Sequence, residues 1–249
     1  MRPSLAAAAL VAFSAALPAQ ALDLGNLSDA ERGALRAEIR AYLLENPEVI
    51  MEAVAVLEER QAAGEAANET ELVRANADAL FGAPGDWVGG NPEGDLTLVE
   101  FTDYRCPYCR RAFDEVEGLL QADGNIRFII KEFPVLGEDS VAASRFAIAT
   151  RLVAGDDAYK SVHDALMGYN GAMNAAAFTR LADALGLDAN AIVAEMESDA
   201  VTEVIAANHA LAQRLRIGGT PTFVMGETML RGYLPQDRMQ AIANEIRAR

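Results

Sequence analysis

The chain has 249 residues, with 21 Lys+Arg against 37 Asp+Glu for a formal net charge of −16, and 51% of its residues are hydrophobic. That balance lacks the basic footprint of a nucleic-acid binder and makes an anionic membrane surface a poor partner, while the apolar fraction supports a sizeable core in one large domain or two small ones. Two cysteines, Cys106 and Cys109, and two histidines, His163 and His209, exclude a multi-disulfide framework and leave little for a histidine-based or closed zinc site.

Arg2 is the only charge before Asp23, Leu5 to Leu17 is apolar apart from Ser14, and Pro18 precedes an Ala19-Gln20-Ala21 cleavage pattern. This is the order of a secretory signal, and its apolar run falls short of the ~20 residues that span a bilayer. Residues 1–21 are therefore expected to be a signal peptide cleaved after Ala21. The protein is then exported into an oxidising compartment.

Residues 22–84 read as a helical N-terminal arm. Ser28-Asp29-Ala30-Glu31 is a capping box, followed by Leu35, Ile39 and Leu43 at helical spacing. Asn46-Pro47 ends that helix and is expected to open the next, with Asn46 as its N-cap. Ile50, Val54, Leu57 and Gln61 then form a short seam of coiled-coil spacing. The seam either packs on the following domain or joins copies of the chain through residues 28–80, and both readings stay open. Gly82-Ala83-Pro84-Gly85 closes the arm.

From residue 85 the pattern is mixed. Leu96 to Phe101 and Ile126 to Lys131 read as strands, with a helix from Cys106 to about Leu120 between them. A helical block follows over about 138–215, broken at Gly155, Gly168–Gly171 and Gly186. Thr222 to Met225 and Thr228 to Arg231 form a hairpin about Gly226-Glu227, and Pro235 to Arg247 is a closing helix. Both histidines fall in the helical block and are read as solvent-facing.

Cys106-Pro107-Tyr108-Cys109 carries the chemistry. Following a strand and loop, Cys106 is placed at a helix N-terminus, where unpaired amides and the macrodipole favour a thiolate. Pro107 suits the first helical position, and Cys109 lies one turn on, within reach for a disulfide. Arg105, Arg110 and Arg111 are expected to add positive charge. Zinc binding lacks a second pair of ligands, a purely structural disulfide would close too short a loop to constrain much, and no motif places a histidine for hydrolysis. Gly218-Gly219-Thr220-Pro221-Thr222 sets a proline at the start of a strand, where a cis Thr220–Pro221 bond would present the Thr220 backbone to a partner.

These motifs together resemble the DsbA-like branch of the thioredoxin superfamily over residues 87 to 249. The resemblance implies an α/β class: a thioredoxin fold over 85–249 with an all-α insertion, preceded by the helical N-terminal arm. It implies redox-active Cys106 and Cys109 with Cys106 as nucleophile, Pro107 and Tyr108 as the active-site dipeptide, and Thr220 and Pro221 as a substrate-binding cis-proline loop. Glu100, six residues before Cys106, is implied as a buried acid paired with Lys131, the two tuning the thiol pKa. Neither a metal nor an organic cofactor is implied, because the Cys106–Cys109 pair itself carries two electrons. Residues 39–50 resemble the N-terminal segment of ScsC-type proteins, which are exported and some of which self-associate.

Periplasmic thiol–disulfide exchange with cysteine-containing exported proteins is the expected activity, with a membrane redox partner of the DsbD/ScsB or DsbB type. Tyr108 and Thr220 depart from the Cys-Pro-His-Cys and Val-Pro of the oxidase DsbA and turn the expectation toward isomerase or reductase. A dithiol oxidase and a thiol copper-binding module are the alternatives.

Overall fold

The computed structural model describes residues 25–249; the expected signal peptide at 1–21 lies outside the described residues. The chain divides into two compact units, Met1–Arg60 and Gln61–Arg249.

In the first unit, helix α1 (Asp29–Glu45) opens on the expected capping box. The Ser28 hydroxyl accepts from the Glu31 N–H at 3.4 Å, and the Ser28 N–H donates back to the Glu31 carboxylate at 2.8 Å. Asn46, expected to cap the second helix, instead closes the first. Its backbone N–H and its side-chain amide both donate to the Tyr42 carbonyl, at 2.8 and 2.9 Å. Helix α2 (Glu48–Ala75) begins one residue after Pro47. No residue of α1 is buried, and Ile39, Tyr42, Ile50, Val54 and Leu57 are all exposed.

The second unit starts earlier than the expected boundary between 84 and 85. Val73, at the end of α2, and Leu80, in the short helix α3 (Ala77–Phe81), are fully buried in its core. The polar, Ala-rich composition of residues 58–80 conceals this, because the anchoring falls to a few apolar side chains, Val73 and Leu80 with the partly buried Leu72 and Phe81 beside them.

Five strands form one sheet in the order β1-β3-β2-β4-β5. Strands β2 (Leu96–Thr102) and β3 (Ile126–Glu132) are parallel, joined across helix α4 (Pro107–Asp123). Strand β4 (Thr222–Met225) runs antiparallel to β2 and pairs with β5 (Thr228–Arg231) in the expected hairpin. The edge strand β1 (Trp87–Gly90) was not legible in the sequence, since two of its four residues are glycines of low strand propensity. Trp87 anchors it by stacking on Tyr159 and donating its indole N–H to the Asp156 carbonyl at 3.0 Å.

Period-2 alternation splits the core between the two faces of the sheet. Leu96, Leu98, Ile126, Phe128 and Ile130 join Cys109, Ala112, Val116 and Leu119 of α4 in the larger cluster. Val99, Phe101 and Ile129 face the other way, toward Val73, Leu80, Leu211 and Leu215. Helix α4 ends at Gly124, whose φ of 69° is the left-handed geometry that a glycine C-cap adopts without strain.

The helical block comprises α5 (Glu138–Ala154), α6 (Asp156–Gly168), α7 (Ala175–Ala184), α8 (Ala189–Glu195) and α9 (Asp199–Arg214). Breaks fall at or next to the three expected glycine sites. A fourth, before α9, uses Ser198 instead, whose side chain accepts from the Val201 N–H. Helix α10 (Gln236–Arg247) closes the chain and packs on α4.

Candidate functional site

Cys106 is the N-cap of α4, in extended geometry with Pro107 in the first turn, as its placement after β2 predicts. Both cysteines are free and buried. Their environments push them in opposite directions. The Cys106 thiol is lowered to about 5, first by the hydrogen bond from the Cys109 thiol, then by the Thr220 side chain and the backbone N–H groups of Cys109 and Tyr108. Burial opposes these but does not outweigh them. The Cys109 thiol is raised, first by burial, then by its bond to Cys106 and by the Glu100 carboxylate. One sulfur is thus an anion at neutral pH and the other a thiol.

The Thr220–Pro221 bond is cis, and the Thr220 carbonyl lies 3.2 Å from the Cys106 sulfur. A groove of about 300 Å³ continues from there, lined by Gly218, Gly219, Thr220, Pro221, Thr222 and Arg231. Tyr108 is 60% exposed, with Val135 and Leu136 also exposed. The turn before Cys106 is fixed by Asp103, a fully buried residue that sequence reasoning did not single out. One of its oxygens accepts from the Arg105 N–H at 2.8 Å, the other from the N–H groups of Val135 and Leu136 at 2.7 and 3.1 Å.

The three arginines play a different part from the expected one. Arg110 donates to the carbonyls of Tyr104 and Tyr169 and to the Asn170 side chain. Arg105 reaches the Gly171 carbonyl, and Arg111 lies over the Tyr233 ring. They fasten the helical insertion and the Tyr233 loop to the redox helix, so the Cys106 thiolate rests on hydrogen bonds from the Cys109 thiol, the Thr220 side chain and backbone amides.

The expected Glu100–Lys131 pair does not form. Lys131 is opposite Phe101 in the β2–β3 register, and the face that holds Phe101 holds Lys131. Its ammonium bonds the Asp86 carboxylate at 2.5 Å and the Ala79 carbonyl at 2.6 Å. Glu100 leaves the sheet on the opposite face, toward Cys109. It is almost completely buried, its Oε1 has no hydrogen-bond partner among the described residues, and burial pushes its pKa up to about 8. Asp86, in the turn before an unrecognised strand, carried no signal in the sequence.

His163 corrects a second expectation. It is buried rather than solvent-facing, and burial lowers its pKa to about 3. It belongs to a polar cluster around Glu132 that the sequence reading missed. The hydroxyls of Tyr104 and Tyr159 each donate to Glu132 at 2.6 Å, and that of Ser144 at 2.7 Å. His209 packs beside Phe133, apart from that cluster. Among the described residues no helix is long and apolar enough to cross a membrane.

A model of the DSBA-like thioredoxin domain matches residues 97–247, more than half of the chain, and a model of the copper resistance protein ScsC N-terminal domain matches residues 31–63. Among solved structures, the chain is similar to a thioredoxin-like oxidoreductase from Silicibacter pomeroyi. The two are 44% identical with a TM-score of 0.66, and the match covers 70% of this chain and 99% of that one. A linker-deletion mutant of Proteus mirabilis ScsC is 28% identical with a TM-score of 0.65, over 89% of this chain and 97% of that one. Salmonella enterica Typhimurium BcfH is 27% identical with a TM-score of 0.70, over 86% and 95%. A curated relative, a Na(+)/H(+) antiporter NhaA 3 of Salinispora tropica, is 30% identical over 138 residues, 55% of this chain. The chain spans only 21% of that antiporter's length.

Proposed function

The chain belongs to the DSBA-like thioredoxin domain family, and we propose that it exchanges disulfides with exported, cysteine-containing proteins of the periplasm through Cys106 and Cys109. The observation that carries this reading is the split between the two thiols: an anionic sulfur at a helix N-terminus, next to a protonated sulfur one turn on.

The split dictates the order of events. The Cys106 thiolate attacks a substrate disulfide, one substrate sulfur leaves as thiolate, and a mixed disulfide forms. Cys109 then gives up its proton and attacks the Cys106 sulfur, releasing the second substrate thiolate and leaving a Cys106–Cys109 disulfide. Two electrons have passed to the substrate; the reverse sequence oxidises one. Glu100, buried toward Cys109 with a free carboxylate oxygen, is the acceptor for the Cys109 proton. The Thr220 carbonyl and the groove along Pro221 hold the substrate backbone beside the sulfur.

The direction is isomerisation or reduction, with a membrane partner of the DsbD/ScsB type restoring the dithiol. Tyr108 supplies no charge to the thiolate, and the arginines are engaged elsewhere. The exposed Ile50, Val54 and Leu57 of α2 fit self-association through the first unit, and one structural relative is described as a periplasmic thioredoxin-like protein from Salmonella enterica. A glutathione titration tests the direction. The expected potential lies below the roughly −120 mV of DsbA and nearer the roughly −180 mV of protein disulfide isomerase. Tyr108→His should raise it. A wild-type value at or above that of DsbA supports the oxidase reading, with a partner of the DsbB type.

A further inference from the structure

Glu132, 3% exposed, ends β3, and the groups around it come from four places. Tyr104 and Asp103 belong to the loop before Cys106, Ser144 to α5, and Tyr159 and His163 to α6. Asn208 of α9 donates to the Glu132 carbonyl at 3.1 Å. The Tyr104 hydroxyl is also 2.9 Å from His163 Nδ1. Since that hydroxyl has one proton and gives it to Glu132, the His163 ring donates, which fits its neutral form. Among the described residues no cation pairs with the carboxylate; three hydroxyls hold it.

The register places this cluster beside the redox pair. Thr102 is directly opposite Glu132, and Glu100 is opposite Ile130. Glu100, Thr102, Ile130 and Glu132 therefore share one face of two adjacent strands, with the carboxylates on a diagonal that long side chains can span. Between them lies the buried Thr102 hydroxyl, which holds the Glu100 carboxylate down against burial, while Glu100 Oε1 has no hydrogen-bond partner among the described residues. The other charged or titratable groups toward Glu100 are Cys106, Cys109 and Glu117, the last of which is paired with Lys160 at 3.1 Å. Two buried carboxylates thus lie on a diagonal of adjacent strands, with no ion pair to either among the described residues, and Glu100 reaches toward the resolving cysteine.

We propose that Glu132 is a positioning residue for disulfide exchange: the hydroxyl cage of Tyr104, Tyr159 and Ser144 sets how readily Glu132 carries a second negative charge on the face shared with Glu100, and thereby how readily Glu100 takes the Cys109 proton. This rests on the proposed role of Glu100. Field strength favours such coupling, because like charges that close inside a protein are weakly screened and each discourages ionisation of the other. It also gives the cage a purpose, since an apolar side chain at position 132 would fill the same space without the cost of a buried acid.

The two phases of the reaction of the reduced protein with dithiobis(nitrobenzoate) separate the steps. The first release of nitrothiobenzoate reports attack by Cys106, and the second reports attack by Cys109. Followed by stopped flow across the pH range, the second phase of the wild type should accelerate as Glu100 ionises, and Glu100→Gln should abolish that rise. Glu132→Gln should move the rise to lower pH by roughly half a unit, a roughly two- to threefold faster second phase at pH 7, while leaving the first phase in place. Tyr159→Phe, which removes one donor from the cage, should move it the same way by less, and it decides the matter if Glu132→Gln does not fold. Leu211→Ala, buried in the cluster on the other face of the sheet, should cost stability without moving the profile. A second-phase profile in the folded charge or cage variant that superposes on the wild type, with Glu100→Gln still flattened, overturns the role of Glu132. An unaltered profile in Glu100→Gln overturns the role of Glu100 and this inference with it.

Discussion

The Lys131 ammonium and the Asp86 carboxylate meet at 2.5 Å with side chains 1% and 4% exposed, on the sheet face that turns away from the cysteines. Breaking such a pair leaves one charge buried alone, which costs about 3–5 kcal/mol. Asp86→Ala should lower stability by that order in urea unfolding, yet leave disulfide exchange per folded molecule close to wild type. Loss of exchange in molecules that remain folded would show that this face reaches the redox site.

Thiol reactivity should separate the two cysteines by pH. Alkylation of the reduced protein by iodoacetamide should occur at Cys106 and rise with a midpoint near pH 5, where its thiolate forms. Cys109, raised by burial, should stay unmodified through neutral pH. Peptide mapping after short exposure at pH 7 reads both, and preferential labelling of Cys109 would reverse the assigned roles.

Replacing Cys109 with Ser removes the resolving thiol while leaving the nucleophile. Mixed disulfides between Cys106 and exported proteins should then accumulate and appear as higher bands on a non-reducing gel. A folded, exported variant that yields none would contradict the two-step exchange.

Stability should follow opposing titrations. Glu100 and Glu132 have folded-state pKa values raised to about 8 and about 7, so the native state binds their protons more tightly than the unfolded chain, and their contribution falls as pH rises from about 4.5 toward 8; the Cys106 thiol, lowered to about 5, contributes in the opposite sense as pH rises from about 5 toward 9. His163 acts on the other side. Its folded value is lowered to about 3, so the unfolded chain takes the proton first, and stability is lost as pH falls below about 6.5. Glu100→Gln should remove the largest alkaline penalty and stabilise the protein at pH 8 by at most about 4–5 kcal/mol, the size of the shift, less the cost of burying the amide. Thermal unfolding from pH 4 to 9 measures the whole curve; a wild type whose stability climbs steadily from pH 6 to 9 would exclude buried acids of this kind.

Truncation should distinguish the two candidate boundaries. A chain beginning at Gln61 keeps Val73, Leu80 and the Ala79 carbonyl that binds Lys131, and should fold and exchange disulfides. One beginning at Gly85 loses all three, and the two apolar side chains alone are worth about 3–6 kcal/mol of burial. If denaturation midpoints of the two chains coincide, residues 61–84 are not part of this core.

Much of the site was legible because its signals are local. A cysteine after a strand, with proline at the next position, specifies a helix N-cap, and a proline ahead of β-branched residues specifies a strand entrance. What escaped depends on which face of a strand a residue occupies. Glu100 and Lys131 pair naturally on paper, one on each of two adjacent strands, but the register sets Lys131 against Phe101 and parts them by a single residue. Asp86 and Glu132 find partners elsewhere in the chain, in a lysine and in a loop tyrosine and a tyrosine and serine of separate helices, and no spacing rule connects them. His163 looked like a polar residue on a polar helix face, and only the packing of α6 against the cluster buries it.

The Asp103 carboxylate joins the turn that carries Cys106 to the backbone beneath Val135 and Leu136. The span between the reactive sulfur and this apolar ledge is thereby a property of the protein, held like the two jaws of a fixed gauge. A polypeptide that engages both must carry its cysteine at a matching offset from an apolar side chain. Unfolded chains can present many such offsets in turn, whereas a folded protein presents only the one its own surface allows.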